Sequence, residues 1–145
     1  MTGLMPNVDC LANFSRLSRL SFSLTPIQGN FPPIGSLKSL EELSFAHSRL
    51  SGTLPSSIGM ASKLRVLSLQ GNLLSGTLPE SISKLTALSL LHLFENQFFG
   101  SVPKLSSSVV NCKLQDSFSI EGVRDQNCFS NCTVKNELIL LNILF

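Results

Sequence analysis

The sequence predicts an α/β solenoid of about four stacked coils, with a parallel β-sheet on the concave face and turns, 3-10 or short helical segments on the convex face. Three observations carry this. The pentapeptide Ser-Gly-Thr-Leu-Pro occurs at 51–55 and again at 75–79, with weaker echoes from Gln28 to Pro32 and from Phe99 to Pro103. The glycines of these stretches, Gly29, Gly52, Gly76 and Gly100, are 23, 24 and 24 residues apart, and Pro32, Pro55, Pro79 and Pro103 keep the same intervals. A fixed frame of apolar residues precedes each one.

Taken in order, the frame defines four coils. The first, 14–36, is ragged and runs Leu17, Leu20, Phe22, Thr25, Ile27, Phe31. The second, 37–60, holds Leu40, Leu43, Phe45, Ser48, Leu50, Leu54 and Ile58. The third, 61–84, is the clearest, with Leu64, Leu67, Leu69, Asn72, Leu74, Leu78 and Ile82. The fourth, 85–104, gives Leu88, Leu91, Leu93, Asn96, Phe98 and Val102. In each Leu-x-Leu step two side chains share one face of a short strand and the residue between them faces the other way. Leucines at the later corners must also turn inward, so a core exists only where coils stack. Residues 1–13 are left as the remnant of an N-terminal flank or cap, 105–133 as a cysteine-containing C-terminal cap, and 134–145 as an apolar tail.

Asn72 and Asn96 stand where the chain leaves the strand, and an inward amide there can satisfy backbone groups of adjoining turns. Each such group costs about 1–3 kcal/mol if buried unpaired. Ser48 and Thr25 hold that place in the earlier coils, and a hydroxyl reaches fewer partners than an amide. The N-terminal coils are therefore expected to be the looser ones. Glycine in the repeated pentapeptide suits a bend that a side chain would obstruct, and proline withholds a donor from any ladder that follows.

This L-x-x-L-x-L-x-x-N-x-L frame, closed by (S/F)-G-x-(I/L/V)-P, resembles the leucine-rich-repeat family from about Phe14 to Lys104. The likeness is to the plant-type subtype of receptor-like protein and receptor-like kinase ectodomains, also found in protist surface proteins, whose 24-residue period this chain shares. The resemblance implies that the concave sheet is the ligand surface and that the ligand is a protein or peptide. It also implies that the cysteines bracketing the array, Cys10 before it and Cys112, Cys128 and Cys132 after it, act as disulfide caps. Four cysteines allow three connectivities; Cys112 with Cys128 or Cys132 is favoured, leaving Cys10 to a partner outside this stretch. Zinc is the competing use of the thiols, but no fourth ligand has a convincing spacing. Free thiols in a reducing compartment are the remaining alternative.

Composition narrows the function classes. Only 14% of residues are charged and 43% are apolar, against about 25% charged in an average soluble domain. The net charge of +2 comes from 11 basic and 9 acidic residues spread along the chain, with no basic stripe in the sequence to neutralise phosphates, which argues against nucleic acid. No run of 18 apolar residues is present, so a membrane attachment would lie in a segment outside this chain. Leu138 to Phe145 could open such a helix, pack on the cap, or be unnatural read-through. The sequons at Asn13 and Asn131 are glycan acceptors if the chain is secreted, yet Met1 to Asn7 lacks the pattern of a secretory signal. A longer protein, with signal and N-terminal cap upstream, reconciles the two.

The outward strand positions form four columns across the coils: Arg19, Glu42, Val66 and Leu90; Ser21, Ser44, Ser68 and His92; Ser23, Ala46, Gln70 and Phe94; Leu24, His47, Gly71 and Glu95. From these, Arg19, Glu42, Ser44, His47, Ser68, Gln70, Leu90, His92, Phe94 and Glu95 are the candidate ligand-binding residues. Leu90, His92, Phe94 and Glu95 are the favoured corner, because apolar groups among polar neighbours suit an anchor. The competing expectation is that the C-terminal segment covers Leu90 and Phe94. Four strands about 4.8 Å apart make a narrow sheet, and its 16 outward positions fall short of the about 20–30 residues a typical interface uses. Catalysis finds no support: His47 and His92 lie in different columns, Glu41 and Glu42 point to opposite sides of a strand, and no catalytic motif is present. No enzyme activity, catalytic residue, metal or cofactor is expected. The leading function is an extracellular recognition module of a receptor-like protein; a secreted inhibitor or adhesion protein and an intracellular scaffold are the alternatives.

Overall fold

A computed structural model describes residues 3–4 and 16–114 of the chain. An apolar residue at each inward position of a short strand buries the backbone beside it, whose polar groups are satisfied by pairing with the same segment of the next coil. The concave sheet does this with five parallel strands in the order β10-β8-β6-β4-β2. They are β2 (Arg19–Ser21), β4 (Glu42–Ser44), β6 (Val66–Ser68), β8 (Leu90–His92) and β10 (Asn111–Lys113). Their register aligns Leu20, Leu43, Leu67, Leu91 and Cys112, and all five are buried.

A second parallel sheet lies where only turns were expected. It runs β1-β3-β5-β7-β9, made of β1 (Gly3–Leu4), β3 (Ile27–Asn30), β5 (Arg49–Gly52), β7 (Leu73–Gly76) and β9 (Gln97–Phe98). The repeated pentapeptide leaves this sheet: Gly52, Gly76 and Gly100 take φ of 79°, 80° and 81°, a bend that L side chains resist. Pro55 and Pro79 follow and open 3-10 turns at Ser56–Met60 and Glu80–Lys84. A shorter one, Ile34–Ser36, follows Pro33. Ile34, Ile58 and Ile82 point inward from these turns and close the core.

That core is one continuous column of Leu, Ile and Phe. Leu43, Phe45, Leu50, Leu64, Leu67, Leu69, Leu74, Leu91 and Leu93 are fully buried, each contributing about 1.5–3 kcal/mol against exposure. Phenylalanine replaces leucine in the early coils, where Phe22 stacks on Phe45 at 5.7 Å between centroids and Phe31 meets Phe45 edge-on at 6.3 Å.

The repeat continues past residue 104, where the array was expected to end. Leu105, Val109, Cys112 and Leu114 join the core, and Val109, Cys112 and Leu114 stand 21 residues after Leu88, Leu91 and Leu93. The interval is short because the chain takes six residues from Pro103 to Val109, against nine from Pro79 to Leu88, with no 3-10 turn between. Among the described residues the concave sheet thus has five strands rather than four.

Candidate functional site

The outward side chains of the concave sheet are ordered from one end to the other by the strand register. At the N-terminal end Arg19 Nε lies 3.4 Å from Glu42 Oε2; both are well exposed, so the pair adds little stability. Ser23 Oγ and Ser44 Oγ are 2.6 Å apart. Ser68 Oγ–H donates to Gln70 Oε1 at 2.8 Å. Ser44, Ser68 and Gln70 are half-buried in this lane. Ala46, expected in an outward column, is buried, since its methyl is too short to clear the flanking rows.

The fourth column departs from ordinary strand geometry. Leu24, His47 and Glu95 have φ of 59°, 52° and 55°, and Gly71 has 69°. Holding three non-glycine residues in this region costs about 1–2 kcal/mol each, and each of their side chains is exposed at the rim. His47 lies across Gly71, where a Cβ would meet His47 Nδ1 at 2.3 Å. The imidazole thereby passes one coil and reaches Glu95, with Nδ1 3.9 Å from Oε2.

At the C-terminal end Leu90, His92 and Phe94 are half-buried, and Glu95 is exposed. The His92 and Phe94 rings lie 6.0 Å apart, and His92 Nε2–H donates to Asn111 Oδ1 at 3.1 Å. Strand β10 aligns Asn111 with Leu90 and Lys113 with His92, so both belong to the surface and both are exposed. The sequence reading missed them. Their signal was Val109-x-x-Cys112-x-Leu114, a frame disguised by the cysteine and by the shortened interval. The structure places Leu90 and His92 on β8 with the Phe94 ring beside His92, Glu95 toward His47, and Arg19 and Glu42 toward the other end of the sheet.

Asn72 and Asn96 face inward. Asn72 Oδ1 accepts from Leu50 N at 3.0 Å, and its Nδ2 donates to Phe45 O at 2.7 Å and Leu69 O at 2.8 Å. Asn96 repeats this one coil on, with Leu74 N, Leu69 O and Leu93 O. Cys112 is buried at a leucine position; Cys10, Cys128, Cys132, Asn13 and Asn131 lie outside the described residues. Among the described residues no group of three or more His, Cys, Asp or Glu could hold a metal ion, and no helix is long and apolar enough to cross a membrane.

Stacked coils of one frame, a parallel concave sheet and an internal asparagine ladder define a leucine-rich-repeat solenoid. Residues 39–60 and 63–85 match the family described as Leucine Rich Repeat. Solved structures agree. The ectodomain of the plant membrane receptor kinase GASSHO1/SCHENGEN3 from Arabidopsis thaliana, in complex with Casparian strip integrity factor 2, is 26% identical, with a TM-score of 0.73 over 81% of this chain and 14% of its own. The plant peptide hormone receptor RGFR1, in complex with RGF2, is 26% identical with a TM-score of 0.73 over 82% of this chain and 19% of its own. A plant ice-binding protein is 33% identical, with a TM-score of 0.66 over 71% of this chain and 33% of its own. The chain thus spans less than a fifth of the two receptor structures. No curated protein sequence matches it. The receptor kinase structure it resembles is that of the ectodomain.

Proposed function

We propose that this chain is a ligand-binding module, part of an extracellular receptor-like ectodomain, that takes a protein or peptide on its concave face. The observation that carries this is the C-terminal corner of that face. Leu90 and Phe94 are half-buried, with His92 beside Phe94 and exposed Asn111 and Lys113 on the next strand, aligned with Leu90 and His92, a composition that suits an anchor with a polar rim. Similarity to receptor ectodomains solved with Casparian strip integrity factor 2 and with RGF2 supports the reading. The further candidates Arg19, Glu42, Ser44, His47, Ser68 and Gln70 extend the surface toward the N-terminal end. Similarity to an ice-binding protein keeps a free secreted binder as the second reading.

An extracellular setting calls for Cys112 bonded to Cys128 or Cys132 and for glycans on Asn13 and Asn131. Peptide mapping of the secreted chain, without reduction and before and after deglycosylation, reads both. Reduced thiols with unmodified asparagines would favour the intracellular alternative. The binding surface is tested by panning a displayed random peptide library on the full chain. Enriched peptides are expected to lose binding to Phe94→Ala and Leu90→Ala and to keep it with Lys63→Ala, which is exposed beyond the concave strands. Peptides indifferent to Phe94 and Leu90 would sink the concave reading.

A further inference from the structure

We infer that the C-terminal corner of the concave face selects a peptide segment in which a bulky apolar side chain lies one or two residues from an Asp or Glu side chain. This rests on the concave face being the binding surface and adds the chemistry of the partner. Charge distribution along the sheet is the starting point. Arg19 is matched by Glu42, and Glu95 lies 3.9 Å from His47 over Gly71, an ion pair only where the imidazole is protonated. Lys113 joins no ion pair among the described residues, although it stands on the same outward face, aligned with His92. The described face thus ends in an exposed ammonium, beside its apolar anchor, that no described carboxylate pairs with.

Spacing fixes how a ligand would meet the two. Lys113 lies one strand beyond His92, about 4.8 Å, and an extended peptide advances about 3.3 Å per residue. A carboxylate one or two residues from the group seated on Leu90 and Phe94 therefore reaches the ammonium. His92 does not compete for it through Nε2, which is turned to Asn111.

The carboxylate belongs to a side chain rather than a chain end. Capturing a terminal carboxylate calls for a forked guanidinium or a nest of free backbone N–H groups. Here the cation is an ammonium, a point charge. The nearby amides are engaged, with Asn111 N donating to Ser89 O and Leu93 N to Lys113 O.

The test uses the full chain and short synthetic peptides, all amidated at the C-terminus, with Phe or Leu at the centre and Glu or Gln one or two residues before or after it. The Glu peptides are expected to bind about two- to fivefold more tightly than the Gln peptides, with the difference shrinking at high salt. Lys113→Gln should erase the difference while leaving the Gln peptides unchanged, and Phe94→Ala should weaken both sets. Circular dichroism checks that each variant is folded. If Glu and Gln peptides bind alike and both still need Phe94, the acidic preference is wrong and the concave reading stands. If no peptide binds, or none responds to Phe94→Ala, the concave reading fails and this inference fails with it.

Discussion

The two halves of the solenoid solve one problem with different chemistry. In the C-terminal coils a single amide accepts from a backbone N–H of the preceding coil, at Leu50 or Leu74, and donates to carbonyls of its own coil and the one before. In the N-terminal coils two hydroxyls share the work: Ser48 Oγ–H donates to Phe22 O at 3.1 Å and Thr25 Oγ1–H donates to the same carbonyl. The acceptor half of the amide's task is left out. The Ile27 amide, equivalent to Leu50 and Leu74, falls back on Thr25 O within its own coil. In exchange the N-terminal half carries the Phe22, Phe31 and Phe45 cluster, where aromatic contacts add about 0.5–1.5 kcal/mol per pair beyond area. A repeat frame thus prescribes a position's job but not the group that does it, and a weak ladder is offset by a bulkier core.

The largest expected effect tests that offset. Phe45→Ala should cost about 3–5 kcal/mol in urea unfolding, because it removes the ring that both Phe22 and Phe31 contact. Next, Asn72→Ala should cost about 2–4 kcal/mol, since it strands the Leu50 N–H and two carbonyls in a buried site. A Ser48→Ala change should cost about 0.5–1.5 kcal/mol by the same measurement, one hydrogen bond rather than three. A Ser48 cost equal to that of Asn72 would break the contrast between the halves. Gly71→Ala should fall between these two at about 1–3 kcal/mol and also displace His47 from Glu95, visible as a change in the His47 ring resonances. The smallest effect needs no substitution: in native-state hydrogen exchange the Ile27 amide should be the least protected of Ile27, Leu50 and Leu74.

Much of this fold was legible because a solenoid is nearly one-dimensional. Each coil packs its core and pairs its strands with its neighbours, so a pattern that repeats in sequence repeats in space. The inward roles of Leu67, Leu69 and Asn72 and the outward roles of Leu90, His92 and Phe94 all follow from strand alternation and the period. Legibility failed where the period faltered. Lys113 and Asn111 sat behind a cysteine and an interval three residues short, and they were read as cap rather than sheet. Ala46 was expected in an outward column and is buried.

By itself, then, the sequence determined the coil frame, the inward ladder and the identity of the concave columns, because these depend on side-chain period and backbone pairing within one turn and the next. The tertiary structure alone decided how far the sheet runs, that a second sheet follows each exit from the first, and which side chains meet across coils. His47 reaching Glu95 over Gly71 joins residues 48 apart in the chain. That contact depends on three backbones sharing a left-handed corner and on the middle one lacking a side chain, a coincidence of shape that no single repeat contains.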